Sequence, residues 1–366
     1  MASLSAHFYP PKALIHKPLS SPFSKTPRLR SLLNCSPRRL LSSPAAASAI
    51  ADFRLRSIAA DAATSTTLSN WVEFAQRVSG EWDGFEAEFT AEGAPVELPE
   101  NVVPEAYREW GVQVFDWQSQ CPTLADEKGD VLLTYKMIKL LPTVGCEADA
   151  ATRYSVEERI AGGPENQVSA FAYDSSGCFV AVWPLKGRSG QKFLELEHCL
   201  VDPRDKEARI RATQVVRVEE GAMKLEKIRV FSEYWDGPYR NGELLGGCAI
   251  RESGFAATAK VDVSEVVGLW QGSKASIAKL GSEQKDIYHE LLVDMPFNSV
   301  REHHGLVALP KQLWSLSGDN EDGETWWEVG WLLDHGDAIT SRCVILGDGK
   351  IKEIRIGREI AASKEA

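Results

Sequence analysis

Arg209, Arg211, Thr213 and Arg217 fall on one face of a strand-like segment at 208–218, and Glu195 and Glu197 share a face of the segment before it. Guanidiniums turned inward would anchor a ligand carboxylate, since their planar fork matches two carboxylate oxygens. Turned outward beside Glu195 and Glu197, they would form an exposed cross-strand ladder contributing tenths of a kcal/mol per pair. The outward arrangement is the expectation, because Ile210, Ala212, Val216 and Val218 make the better core face. His303-His304 carry metal-ligand chemistry, but neighbours on a regular strand point to opposite faces, so no metal site is expected. Six cysteines follow the first 60 residues: Cys121, Cys146, Cys178, Cys199, Cys248 and Cys343. None is spaced as Cys-x-x-Cys or with zinc spacing, so buried small hydrophobes are expected. Cys121, beside Pro122 in a turn-like segment, is the candidate redox thiol. No nucleophile motif, phosphate loop or dinucleotide fingerprint occurs. Gly242–Gly247 lacks the strand before and helix after that such a loop needs. No catalytic residue is assigned, and the balance leans against an enzyme.

The elements that position these residues are organised around a repeat. Gly80-Glu81-Trp82-Asp83-Gly84 and Gly268-Leu269-Trp270-Gln271-Gly272 are both Gly-x-Trp-x-Gly, with 188 positions between the tryptophans. Each copy follows a helix-like run and precedes a train of strand-like segments. In the first, Trp71, Phe74, Ala75 and Val78 share one face of a helix over 70–78, with Asn70 as its cap. Alternating segments follow at 81–90, 111–118, 130–140, 152–160, 167–173, 177–183, 191–199, 208–218 and 224–235, punctuated by Gly, Pro, Asp and Asn. The 91–108 connection is expected to lie across an open mouth. After 236–262, with a strand-like piece at 248–251, further strands are expected at 268–274, 288–294, 298–309, 311–317, 324–333, 338–347 and 350–358. Ser276–Asp286 reads as helical. The spacing predicts an all-β chain of two consecutive antiparallel barrels with short helices. The expected bounds are 66–240 for the first barrel, 241–262 for a linker and 263–360 for a second, smaller barrel.

Length and charge agree with this division. A chain of 366 residues suggests two domains. No apolar run is long enough for a transmembrane helix. Residues 1–51 hold seven Lys or Arg and no acid, which leaves 34 basic and 52 acidic residues beyond them, a formal charge of −18. That balance argues against nucleic-acid binding. The acid-free, Ser- and Pro-rich start reads as a disordered plastid transit peptide over 1–60, cleaved near Cys35 or near Ala45–Ala51. The expected location is the chloroplast, in the stroma or peripheral to the thylakoid.

Gly80-Glu81-Trp82, the stretch from Glu109-Trp110-Gly111 to Asp116-Trp117-Gln118-Ser119-Gln120-Cys121-Pro122, and Gly268-Leu269-Trp270 carry a family resemblance. Over about 68–360 the chain resembles a calycin-like (lipocalin-like) family of unknown function shared by cyanobacteria and plant plastids. More distantly it is similar to the bilin lyases, calycin barrels that hold an open-chain tetrapyrrole; no lyase motif maps residue by residue. The resemblance implies that each signature tryptophan is stacked by an arginine from a late strand. Arg211, Arg217 or Arg229 would serve Trp82, and Arg355 or Arg358 would serve Trp270. Barrel size then points to a binding protein whose first, larger barrel holds a tetrapyrrole, carotenoid, quinone or fatty acid, with no cofactor required. By strand position, Trp117, Tyr135, Phe171 and Trp183 would line that site. The alternatives are an assembly factor for a photosynthetic complex and an isomerase or lyase acting inside the barrel.

Overall fold

The computed structural model describes residues 70–127, 131–144, 152–187, 190–219, 222–244, 254–280, 288–293, 296–320, 323–334 and 336–362. The expected leader at 1–60, Cys35, Cys146, Cys248 and the strand-like piece at 248–251 lie outside the described residues. All the described residues belong to one unit, Leu55–Ala366.

The described residues begin with a helix, α1 (70–78), whose apolar stripe of Trp71, Phe74, Ala75 and Val78 is buried. Asn70 is already helical, and its amide donates to Glu290 rather than capping from outside. Ten strands follow: β1 (Glu81–Thr90), β2 (Asp116–Gln120), β3 (Thr123–Ala125), β4 (Leu132–Leu140), β5 (Arg153–Gly162), β6 (Ala170–Tyr173), β7 (Phe179–Lys186), β8 (Lys192–Val201), β9 (Ala208–Glu219) and β10 (Ala222–Gly237). A short helix, α2 (Glu105–Glu109), interrupts the connection from β1 to β2. The pairing runs β6-β7-β8-β9-β10-β1-β2-β4, with β3 and β5 both on β4. The first strand therefore pairs with the last, and the sheet curls as a half-barrel.

The second copy repeats the plan. A one-turn helix, α3 (Val263–Val266), capped by the Asp262 carboxylate, leads into β11 (Gly268–Lys279). Then come β12 (Tyr288–Glu290), β13 (Leu292–Val293), β14 (Phe297–Arg301), β15 (Leu306–Leu309), β16 (Leu313–Asp319), β17 (Thr325–Asp334), β18 (Asp337–Ile345) and β19 (Ile351–Ala361). Again the first strand pairs with the last, β11 with β19, and β15 to β19 form a meander. The fold is thus all-β, two half-barrels in succession. Residues 276–279 continue β11 rather than forming the expected helix, and 281–287 lie outside the described residues. β12 leaves its own sheet and pairs in parallel with β6, Tyr288 opposite Phe171 and Glu290 opposite Tyr173.

The two sheets pack back to back. Ala170, Val182, Leu196, Ala212 and Val216 from the first meet Trp327, Val329, Ile339, Cys343 and Ile354 from the second in one apolar cluster. Phe255 and Ala256, from the segment between the barrels, fill a second contact with Phe89, Ile228 and Leu313. Strands β8 and β9 are therefore buried on both faces. His303 and His304 sit exposed in the turn after β14 rather than on a strand.

A few polar groups cross this interface. Gln214 Nε2 donates to Ser315 Oγ at 2.8 Å, and His198 Nδ1 lies 2.8 Å from Ser341 Oγ. Burial pushes His198 down to about 4, and its polar neighbours offset only part of that. The unfolded ring titrates near 6.5. As pH falls the unfolded chain takes the proton first, so the stability of the neutral ring is intact above 6.5 and is lost as pH falls through 4. Asp83, raised to about 7 by burial and by Asp236, acts in the opposite sense over the same range. The difference between two proteins isolates the histidine. Between pH 7 and pH 4 wild type should lose about 3 kcal/mol more than His198→Asn in urea melts. Parallel losses would remove His198 from the pH response.

Candidate functional site

The concave side of the first half-barrel is where a ligand was expected, and its floor is the Gly-x-Trp signature. Gly80 has φ 141° and Gly268 φ 139°, a region that only glycine adopts freely. A Cβ on Gly80 would also lie 2.2 Å from Trp235 Nε1. Each tryptophan then donates its indole N–H to the carbonyl four residues back, Trp82 to Val78 at 2.9 Å and Trp270 to Val266 at 2.8 Å. The repeat is thus one local structure built twice, with both rings buried.

The arginines over those rings are not the expected ones. Arg209 of β9 stacks on Trp82, with its guanidinium carbon 4.0 Å from the ring centroid. Arg301 of β14 lies 5.3 Å from both Trp270 and Trp314. Arg211 sits one layer deeper, over Phe231 and Tyr135. Arg217 is half-buried and pairs with Glu219 and Glu226. Arg229 reaches Glu195, Arg355 pairs with Glu353, and Arg358 pairs with Asp337 on the surface. The arginines of β9 also point inward, against the expected outward ladder. Both faces of β9 are covered, one by the second sheet and one by the concave interior.

Above Trp82 the interior is a stack of paired charges. Arg209 donates to Glu233 at 2.7 Å. Arg211 forks onto Glu233 at 2.9 and 2.8 Å and reaches Glu197 at 2.7 Å. Glu197 also accepts from the Tyr135 hydroxyl and from Trp183 Nε1. One layer further, Glu195 accepts from Arg159 at 2.6 Å and Arg229 at 3.0 Å. At the mouth Lys139 holds Glu86 at 2.8 Å and lies over Trp117, which stacks on Tyr154 at 4.6 Å. Leu98, Val102 and Val103, from the 91–108 connection, pack against Trp117. Among the expected wall residues, Tyr135 and Trp183 meet on Glu197. Phe171 joins Phe74 of α1 and Phe179, and Trp117 stands apart at the mouth.

The electrostatics are settled by this pairing. Burial would raise Glu197 and Glu233, but Arg211 with Arg159, and Arg209 with Arg211, outweigh it and hold both below the usual carboxylate range. Burial, reinforced by Glu197, keeps Tyr135 a phenol far above neutral pH. The thiols of Cys121, Cys178, Cys199 and Cys343 are buried and pushed up by that burial, Cys199 and Cys343 to about 12. A thiol held protonated is a poor nucleophile, so Cys121 lacks the environment of a redox centre. Among the described residues no cluster of His, Cys, Asp and Glu could hold a metal. The arrangement can fix the shape of the barrel; it offers no acid or base poised near neutral pH within the stack.

No protein-family model and no curated protein matches the chain. Among solved structures, a protein of unknown function from the DUF3598 family of Nostoc punctiforme is similar at 13% identity and TM-score 0.47, covering 80% of this chain and 99% of its own. MucB in complex with MucA covers 78% of this chain and 91% of its own at 9% identity and TM-score 0.18. No helix among the described residues is long and apolar enough to cross a membrane.

Proposed function

We propose that this protein is a non-catalytic assembly or scaffold factor of the chloroplast, belonging to the calycin-like family of unknown function that cyanobacteria share with plant plastids. One observation carries the reading: the place where a carrier would hold an apolar molecule is filled by α1 and by the Arg–Glu stack. An apolar ligand there would have to displace buried, mutually satisfied charges, which is costly. Large apolar side chains stand outside instead. Leu269, Val300 and Ile360 are exposed on β11, β14 and β19, with Leu269 directly opposite Val300. The plastid address rests on the acid-free composition of residues 1–51.

A second reading is supported by the mouth. The Trp117–Tyr154 stack under the Leu98–Val103 cover is an aromatic shelf that would receive a tetrapyrrole, carotenoid, quinone or fatty acid if the cover opened. One experiment separates the two. Protein isolated from plastids is run on native gels beside thylakoid complexes, and the purified chain is titrated with that ligand panel while its tryptophan emission is followed. Comigration with a photosynthetic complex and unchanged emission is the expected outcome. Saturable quenching with a lone monomer would favour the carrier. Absence of the protein from plastids would sink both.

A further inference from the structure

The second half-barrel carries a different opening. Arg342 of β18 and Arg355 of β19 are direct cross-strand partners, two like charges set opposite each other on the concave face. Like charges in that position repel unless something of opposite sign lies between them. Both are held in place by rings. Arg342 lies 4.3 Å over Trp326 and Arg355 5.0 Å over Phe297. Phe297 in turn rests on two glycines: a Cβ on Gly272 would come within 2.0 Å of its ring and one on Gly357 within 2.9 Å. A cleft of about 20 Å³ is lined by both arginines, by Phe297 and by the exposed Asn298. That is space for one small polar group, not for an enclosed molecule.

The floor of this cleft is already neutral. Glu328 accepts from Arg301, Trp314 and Arg342, and Glu359 accepts from Arg301, Ser299 and Thr340. All four carboxylate oxygens are spoken for, so they do not compete for Arg355. Arg355 meets Glu353 through Nη2 at 3.0 Å, while its Nε is buried with no partner. Arg355 thus keeps a buried N–H without an acceptor beside a cleft that Arg342 also lines, Arg342 being held through Nε and Nη2 by Glu328, and that leaves room for an anion.

We propose that this cleft binds the carboxylate head of a small organic acid, bridging Arg355 and Arg342. A small planar monoanion suits the volume and would take the guanidinium N–H groups that Glu353 and Glu328 leave over. A phosphate dianion would be repelled more strongly by Glu353, Glu328 and Glu359 nearby. The test titrates the full chain with propionate at constant ionic strength, reading the Arg355 Nε–H signal by NMR and the thermal midpoint. The Arg355 signal should shift saturably and the midpoint should rise. Arg355→Gln should weaken the apparent affinity about tenfold or more, and Arg355→Lys should not restore it, because an ammonium lacks the fork. Arg358→Gln, on the outer side of the same strand, should behave as wild type. An unmoved Arg355 signal would overturn the proposal, as would an equal response in Arg355→Gln or the same shift with chloride. Tighter saturation with inorganic phosphate would overturn the carboxylate assignment.

Discussion

Arg211→Met is expected to cost about 3–5 kcal/mol, a large part of the stability of an ordinary domain. Arg211 is 1% exposed and makes three hydrogen bonds to two buried carboxylates. Methionine fills much of the volume, so the loss reports charge and not a cavity. Glu233 would keep Arg209, and Glu197 would keep Tyr135 and Trp183, but each would carry a partly uncompensated charge in a dry interior. The penalty should shrink as pH falls, because the stranded carboxylates escape it by protonation. Adding Glu197→Gln should recover part of the stability, since Glu197 is the carboxylate that loses its hydrogen-bonded guanidinium, while Glu233 keeps Arg209. Arg217→Met tests position against chemistry. It is on the same strand but half-buried, and should stay within about 0.5 kcal/mol of wild type. Urea melts give all four values; a loss below about 1 kcal/mol for Arg211→Met would mean the stack does not hold the barrel.

The second large effect belongs to the signature ring. Trp82→Ala should cost about 3–5 kcal/mol, and Trp270→Ala a similar amount, as expected for large-to-small changes in packed cores. Both rings are 1% exposed. Each deletion also strips the stacking surface from a buried guanidinium, Arg209 or Arg301, and the donor from a carbonyl at a helix end. Trp82→Phe separates these contributions. It keeps an aromatic face for Arg209 but leaves the Val78 carbonyl without its indole N–H, a loss of roughly 1–3 kcal/mol. If the alanine variant lost no more than the phenylalanine one, the ring would matter only as a hydrogen-bond donor.

The duplicated Gly-x-Trp was legible because two features enforce it locally: a glycine φ near 140° and an indole that reaches back four residues. Strand alternation likewise exposed the β-rich course of the chain. The arginines were not legible, for a physical reason. Arg209 and Arg211 alternate with Ile210 and Ala212, a pattern that ordinarily marks one wet face and one dry face. A second sheet covers the apolar face, and the polar face closes on its own carboxylates from β8 and β10. No single strand can reveal that its charged side is enclosed. In the second barrel the stacking arginine comes from β14, near the start of the sheet, so a search of late strands passes over Arg301. The first turn of the helix expected at 276–286 is strand instead, because Ala275, Ser276, Ile277 and Ala278 suit either period and the ladder to β19 decides between them.

The crossing of β12 onto β6 has a consequence for how the chain comes off the ribosome. Residues 70–237 are made first, yet the edge of β6 waits for Tyr288–Glu290, which follow Tyr173 by 115 positions (288 − 173). At roughly 5–20 residues per second the nascent first barrel spends on the order of ten seconds with that edge bare. A bare edge is a template for pairing with a neighbouring chain. During that interval the newborn protein has reason to be held by a chaperone, and polysomes crowd identical edges together. The two halves therefore share a birth order as well as an interface: the later one finishes the earlier.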